Sequence, residues 1–378
     1  MNTELTLAGR TLHLTRYPTA AQHPSLQAWD AADELLINHV VETYGEQFNG
    51  RCHIYNDDFG ALGCWFAAWQ TDWVNDSFVA RQALQANLDA NQLMAAEVNC
   101  HDPLWQPASP VDRVLIKIPK TTALLEHQLA QLQPWVGPET QIIAAGKVKA
   151  IHTSTLKLFE RYLGPTTTSL AKKKARLIFC TPTASGIVPM PPPTEWYTDN
   201  PRFRISNHAN VFARQQLDIG ARFLLDNLPD CSGQRIIDLG CGNGVLGLHV
   251  LAQWPDSRVT FVDESFMAIA SARDNVTGNL QDGLQRSEFL VSNCLEQFSG
   301  GQVDRILCNP PFHQQNTITD HIADQMFADA RQHLRPGGEL RIIGNRHLDY
   351  PAKLKRLFGG YTVVAANRKF SILSAIKR

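Results

Sequence analysis

The feature that most limits what this chain can fold into is a repeat. Residues 71–91, TDWVNDSFVARQALQANLDAN, align without a gap on residues 259–279, VTFVDESFMAIASARDNVTGN, at an offset of 188. Six of the 21 positions are identical (Val74/Val262, Ser77/Ser265, Phe78/Phe266, Ala80/Ala268, Asn87/Asn275, Asn91/Asn279), where average residue frequencies would give roughly one. Two further pairs keep the same order. LQAWDAADELLINHV and ARQQLDIGARFLLDNL align Asp30 with Asp218, each opening an amphipathic helix, and DRVLIKIPK lies opposite DRILCNPPF. A chain of 378 residues, 44% hydrophobic, can fill two cores of about 150–200 residues each. The repeat therefore predicts duplication of a whole domain.

Between Thr181 and Pro201 the composition changes. TPTASGIVPMPPPTEWYTDNP holds six prolines and little periodicity, which fits an extended connector. The expected division is residues 1–181, a linker over 182–201, and residues 202–378.

The second half alternates strand and helix. RIIDLGCG, RVTFVDES, SEFLVS, VDRILCN and ELRIIGN read as strands, GLHVLAQW, FMAIASARDNV and IADQMFADARQHL as helices, and YTVVAA with FSILSAI as a final strand pair. That order predicts an α/β fold with a mostly parallel sheet covered on both faces. Ligands of such sheets sit at the carboxyl ends of the strands.

Three motifs fall at those ends. After the strand RIID comes Asp238, then Gly240, Cys241, Gly242, Asn243 and Gly244. A dinucleotide fingerprint would need a glycine at position 245, which is Val245, so the loop argues against NAD. A G-x-G-x-G turn lets backbone lie against a ligand with no β-carbon in the way, and with Asp238 before it this loop resembles the S-adenosylmethionine (SAM) motif of class I methyltransferases. About 20 residues after the loop, the second strand ends at Asp263, whose carboxylate can accept from both ribose hydroxyls of an adenosine. The third motif is Asn309, Pro310, Pro311 and Phe312, where two prolines lacking N–H donors must end the strand.

The last motif carries the chemistry. An exocyclic amine on a base is a poor nucleophile, because its lone pair is delocalised into the ring. It becomes competent when two acceptors hold its hydrogens and favour a pyramidal nitrogen. The Asn309 side-chain oxygen and the Pro310 carbonyl can be those acceptors, with Pro311 stiffening the turn. Phe312 would stack on the flat substrate, and the rate would come mainly from positioning. His313 could accept the released proton, although a surface or supporting role is its default, and Gln314 and Gln315 are either base-reading donors or loop residues.

The first half keeps the pattern and loses the chemistry. Laying IYNDDFGALG on IIDLGCGNGV sets Gly60 opposite Gly242, Asp58 opposite Gly240 and Leu62 opposite Gly244; leucine and carboxylate are expected to block that cleft. Opposite Asn309 through Phe312 stand Lys117, Ile118, Pro119 and Lys120. Lys147, Lys149, Lys172, Lys173, Lys174 and Arg176 belong to the same sheet edge, which predicts an RNA-phosphate surface, unless they are only solvated charges. A second basic candidate is the tail with Arg341, Arg346, Lys353, Lys355, Arg356 and Arg368.

The net charge of -1 and pI near 6.9 give no global positive field, so RNA contact must rest on local patches. The eight cysteines include no CxxC pair and the 13 histidines no ligand spacing, which leaves little behind a zinc or other metal reading, and no metal is expected. No run approaches 18 apolar residues, and a cytoplasmic protein without a membrane span is expected.

The front domain, HANVFARQQLDIGARFLL, DLGCGNGVLG, FVDES and NPPFHQ together resemble the bacterial ribosomal RNA guanine-2-amino methyltransferases over essentially the whole chain. The resemblance implies two tandem class I (Rossmann-like) SAM-dependent methyltransferase domains, the N-terminal one degenerate. It also implies SAM as cofactor and places Asn293 and Cys294 at the adenine edge. The overall sequence, including KTTALLEHQL and IHTSTLKLFE, is more similar to the large-subunit branch than to the small-subunit one, which implies 23S rRNA as partner; a monomer is the default. Two alternatives stand beside this: a protein-glutamine methyltransferase, which would not need a lysine-edged front domain, and a noncatalytic ribosome-assembly protein, which would not need intact SAM and amine motifs.

Overall fold

Small polar residues ahead of the apolar helix faces set where the helices begin. Ser77 accepts from the Ala80 N–H and Ser265 from the Ala268 N–H, both at 3.1 Å, so the repeated Ser and Ala are helix N-caps and the N–H groups they satisfy, each cap contributing about 1 kcal/mol. In the computed structural model, which describes residues 2–19, 25–94, 98–311 and 317–378, the chain forms two units, Met1–Pro192 and Pro193–Arg378.

The front unit opens with an antiparallel hairpin, β1 (Glu4–Leu7) and β2 (Arg10–His13), followed by β3 (Arg51–Tyr55), β4 (Gln70–Val74), β5 (Val98–His101), β6 (Arg113–Lys117), β7 (Gln141–Lys147), β8 (Thr166–Thr168) and β9 (Ala175–Cys180). Its helices are α1 (Ala31–Tyr44), α2 (Ala61–Trp65), α3 (Phe78–Ala90), α4 (Thr122–Leu132) and α5 (Thr153–Tyr162). The rear unit repeats the plan with a hairpin, β10 (Thr194–Tyr197) and β11 (Arg204–Asn207), then β12 (Arg235–Leu239), β13 (Arg258–Asp263), β14 (Ser287–Val291), β15 (Val303–Cys308), β16 (Leu334–Asn345), β17 (Thr362–Ala366) and β18 (Phe370–Ile376). Its helices are α6 (Ile219–Leu225), α7 (Val245–Gln253), α8 (Phe266–Asn279), α9 (Thr317–His333) and α10 (Tyr350–Phe358).

The two seven-stranded sheets have the same order, β5-β4-β3-β6-β7-β9-β8 and β14-β13-β12-β15-β16-β18-β17. In each, among the described residues, only the pairings made by the last strand of that unit are antiparallel. Alternate side chains of each strand feed opposite faces: Ile236 and Leu307 pack with α7 and α8, Ile237 and Ile306 with α9 and α10. The order reverses between β12 and β15, which opens a crevice at their carboxyl ends.

The repeated asparagines explain why the duplication is legible. Buried Asn87 accepts from Thr15 N and donates to Thr15 O and Phe59 O. Buried Asn275 accepts from Ser206 N and donates to Ser206 O and Asn243 O. Asn91 and Asn279 likewise pair both ways with the backbones of His13 and Arg204. Each amide thus completes backbone hydrogen bonds between a helix and the second strand of the hairpin or the residues just after it, and at the buried Asn87 and Asn275 an unpaired group would cost about 1–3 kcal/mol.

Three expectations change. The proline-rich stretch is not wholly a connector: Thr194–Tyr197 pairs with Arg204–Asn207 and belongs to the rear unit, because the prolines around it mask a strand that only its pairing reveals. The basic tail is not one free patch. Lys353 is buried on α10 and paired with Asp320 and Asp324, both at 2.9 Å, and Arg341 pairs with Glu339. The glycine register also shifts by two: Gly60 at φ 87 caps α2 as Gly244 at φ 80 caps α7. Asn56 therefore stands in the place of Gly240, both at positive φ, and Asp58 in that of Gly242. Leu62 is a core residue on α2, not a block in the cleft.

Candidate active site

The loop between β12 and α7 turns through three glycines at positive φ, 70°, 54° and 80° for Gly240, Gly242 and Gly244. A β-carbon on Gly242 would meet nothing within 4 Å, whereas one on Gly244 would lie 2.8 Å from the Ala272 Cβ. Gly244 thus lets α7 close onto α8, and Gly242 keeps space open above the loop. Asp263 supports the loop from the next strand: its Oδ2 accepts from Gly242 N and its Oδ1 from Ser265 N, each at 2.9 Å. Burial pushes its carboxyl up, against those hydrogen bonds.

Asp238 is completely buried beneath the loop. Its Oδ2 accepts from Gly247 N at 3.0 Å and its Oδ1 has no partner among the described residues; burial, with a smaller contribution from Asp263, pushes it up to about 7. Through Oδ2 the side chain braces the loop-to-helix junction. Asn243 is buried as well, donating to Asn207 Oδ1 at 3.0 Å and accepting from Val245 N, so its side chain staples the loop. Cys241 is buried, with its thiol raised by burial. Past β14, Asn293 donates to Glu296 Oε1 at 2.9 Å and Gln325 Oε1 at 3.3 Å, and Cys294 takes φ 46.

Beyond β15, Asn309 donates its Nδ2 to Asp218 Oδ2 at 3.3 Å, while its Oδ1 is buried with no hydrogen-bond partner among the described residues. An amide oxygen left unpaired costs about 1–3 kcal/mol, a cost that a ligand donor would remove. Pro310 is buried and Pro311 exposed. Phe312, His313, Gln314 and Gln315 lie outside the described residues. Asp218 was legible in the sequence only as a helix opener; its approach to Asn309 joins residues 91 positions apart.

In the front unit the strand-end counterpart of Asn309 is Lys117, and it is not a rim cation. It is 5% exposed and paired with Asp33 at 2.8 Å, Asp30 at 3.2 Å and Asp58 at 3.6 Å. Burial opposes its charge, but the three carboxylates outweigh it and raise its pKa above the ordinary lysine value. The other cations behave differently. Lys120, Lys147, Lys149, Lys172, Lys173 and Lys174 are exposed and Arg176 half-buried. Pairing of β7 with β9 sets Lys147 opposite Ala175, beside the turn carrying Lys172–Lys174, and Lys173 is paired with Glu34 at 2.8 Å. Among the described residues no group of three or more potential ligands could hold a metal, and no helix is long and apolar enough to cross a membrane.

Comparison with known proteins places this geometry. Residues 2–184 match the family model described as the RLMG N-terminal domain, and residues 202–374 the methyltransferase small domain. The chain is 58% identical to the ribosomal RNA large subunit methyltransferase G of Pseudoalteromonas atlantica and 56% identical to that of Aeromonas salmonicida, in each case over 100% of both chains. Its fold is that of the T. Thermophilus 16S rRNA N2 methyltransferase solved with AdoMet and guanosine, with TM-score 0.80 at 21% identity over 100% of this chain and 98% of that one. The chain belongs to the ribosomal RNA large subunit methyltransferase G family.

Proposed function

We propose that this protein transfers a methyl group from SAM to the exocyclic 2-amino group of one guanine in 23S rRNA, and that the rear unit performs the chemistry. The observation that carries the reading is the buried, unpartnered Oδ1 of Asn309 at the strand end beside the glycine loop. It is an acceptor placed for an N–H donor, which is what an exocyclic amine presents.

The residues fit the cofactor. The open space at Gly242 and the Asp263 carboxylate braced against the loop form a cradle, with the loop backbone, Asn293 and Cys294 as its remaining walls. When bound, SAM supplies an electrophilic methyl on a sulfonium whose sulfur takes the C–S electron pair as the N–C bond forms. Asn309 Oδ1 and the Pro310 carbonyl hold the two amine hydrogens, which favours a pyramidal nitrogen and stabilises the positive charge that develops on it. Phe312 would stack on the guanine. The methylated nitrogen is acidic, so loss of its proton needs no strong base. The exposed Lys120, Lys147, Lys149, Lys172, Lys173 and Lys174, with Arg176, hold RNA phosphates. The protein works as a cytoplasmic monomer.

The test is transfer of labelled methyl from SAM to total rRNA from cells lacking this protein, comparing the native chain with Asn309→Ala and mapping the modified nucleotide. Label on one guanine of 23S rRNA, with kcat reduced about 10²–10³-fold in the variant as for loss of one preorganised transition-state hydrogen bond, is expected. Label on protein, on 16S rRNA only, or unchanged in the variant would refute it.

A further inference from the structure

An asparagine side chain has two nearly isosteric ends with opposite roles. Turned one way Asn309 offers the amine an acceptor; turned the other way it presents two N–H donors that repel the amine hydrogens. Something must fix the orientation, and neither the prolines nor the strand can do so, because both act on the backbone.

The carboxylate of Asp218 can. It is the N-cap of α6, its Oδ2 accepts from Ala221 N at 2.9 Å, and the same oxygen receives Asn309 Nδ2 at 3.3 Å. An ionised carboxylate only accepts, so Nδ2 must face Asp218, and Oδ1 is the end left unpartnered. The cap ties that oxygen to a helix whose Ala221 and Leu224 are buried in the rear core. The front unit holds the same pair with a different outcome. Asp30, N-cap of α1, accepts from Ala32 N and from Lys117 Nζ, and Lys117 occupies the strand-end position of Asn309. A lysine has three donors and no acceptor, so that contact closes on carboxylates and leaves no oxygen for an amine.

We infer that Asp218 is a positioning residue for methyl transfer: its carboxylate sets the Asn309 amide with nitrogen inward and oxygen toward the substrate amine, and its negative charge polarises that oxygen. The inference rests on the proposed role of Asn309.

The test uses the full chain, SAM, and rRNA from cells lacking this protein, with variants Asp218→Ser and Asp218→Asn. Serine remains a good N-cap but is too short to hold Asn309, and asparagine keeps an oxygen at full reach. Expected are a kcat lowered about tenfold in Asp218→Ser with KM for rRNA, SAM affinity and melting temperature near native, and recovery of most of that loss in Asp218→Asn. Activity that falls with Asn309→Ala but stays within about twofold of native in Asp218→Ser overturns this inference alone, as does a loss matched by weakened SAM binding and a lowered melting temperature. Activity that survives Asn309→Ala overturns the reading beneath it as well.

Discussion

Alanine at Gly242 and alanine at Gly244 are the same chemical change two residues apart, and the structure assigns them opposite consequences. Both positions lie at positive φ, where a β-carbon costs about 1–2 kcal/mol. At Gly242 nothing else opposes it, because no atom lies within 4 Å of the added carbon. At Gly244 the carbon would come 2.8 Å from the Ala272 Cβ and 3.1 Å from its Cα, so α7 or α8 must move, adding about 1–3 kcal/mol of overpacking. The totals are about 1–2 kcal/mol for Gly242→Ala and about 2–5 kcal/mol for Gly244→Ala. At about 2–4 °C per kcal/mol for a unit of this size, calorimetry of the intact chain should show the rear-unit transition lowered by about 2–8 °C and about 4–20 °C respectively. Titration with SAM reverses the emphasis: the Gly242 methyl fills the proposed cradle and should weaken binding about tenfold or more, equivalent to about 1.4 kcal/mol of conflict. Greater destabilisation by Gly242→Ala than by Gly244→Ala, or native SAM affinity in Gly242→Ala, would refute the reasoning.

The buried carboxylate of Asp238 gives a pH test. Its pKa is about 7 in the fold against an ordinary 3.8, so between those values the folded state binds the extra proton and rear-unit stability falls as pH rises, by up to about 4 kcal/mol in all. Asp238→Asn should flatten that decline in urea titrations across the window, and an unchanged slope would count against it. Lys117→Met leaves Asp30 and Asp33 without their cation and should cost the front unit about 3–5 kcal/mol, partly recovered by adding Asp33→Asn; a native melting profile for the single variant would show the ion pairs to be inert. Reversing Lys147, Lys172 and Lys174 to Glu should lower the dependence of log K on log salt for rRNA by about 2–3, at roughly 0.7–0.9 per phosphate contact. Equal slopes for variant and native chains would mean those lysines are only solvated.

The sequence by itself determined the plan. Periodicity and caps are local, so the strand-helix alternation of the rear half, the glycine loop, the acid ending the second strand and the Asn-Pro-Pro turn could all be read from short windows. The duplication was legible because Ser77, Asn87 and Asn91 share duties with Ser265, Asn275 and Asn279 that no other side chain performs as well: capping a helix, or replacing a missing backbone partner. What the sequence hid were contacts whose partners lie far apart along the chain. Lys117 reads as a surface cation until Asp30, Asp33 and Asp58 close around it, and Lys353 until α10 lays it against the acidic side of α9. Strand Thr194–Tyr197 was hidden for a different reason: its partner Arg204–Asn207 is close by in sequence, but the prolines around it mask the strand pattern. The motif names Asp238 and Asn243 by position, while the partners of their side chains, Gly247 N for the one and Asn207 and Val245 N for the other, show only in the fold. Tertiary structure decided the orientation of Asn309 in the same way, since an amide shows which end is its oxygen only through the neighbour that holds its nitrogen.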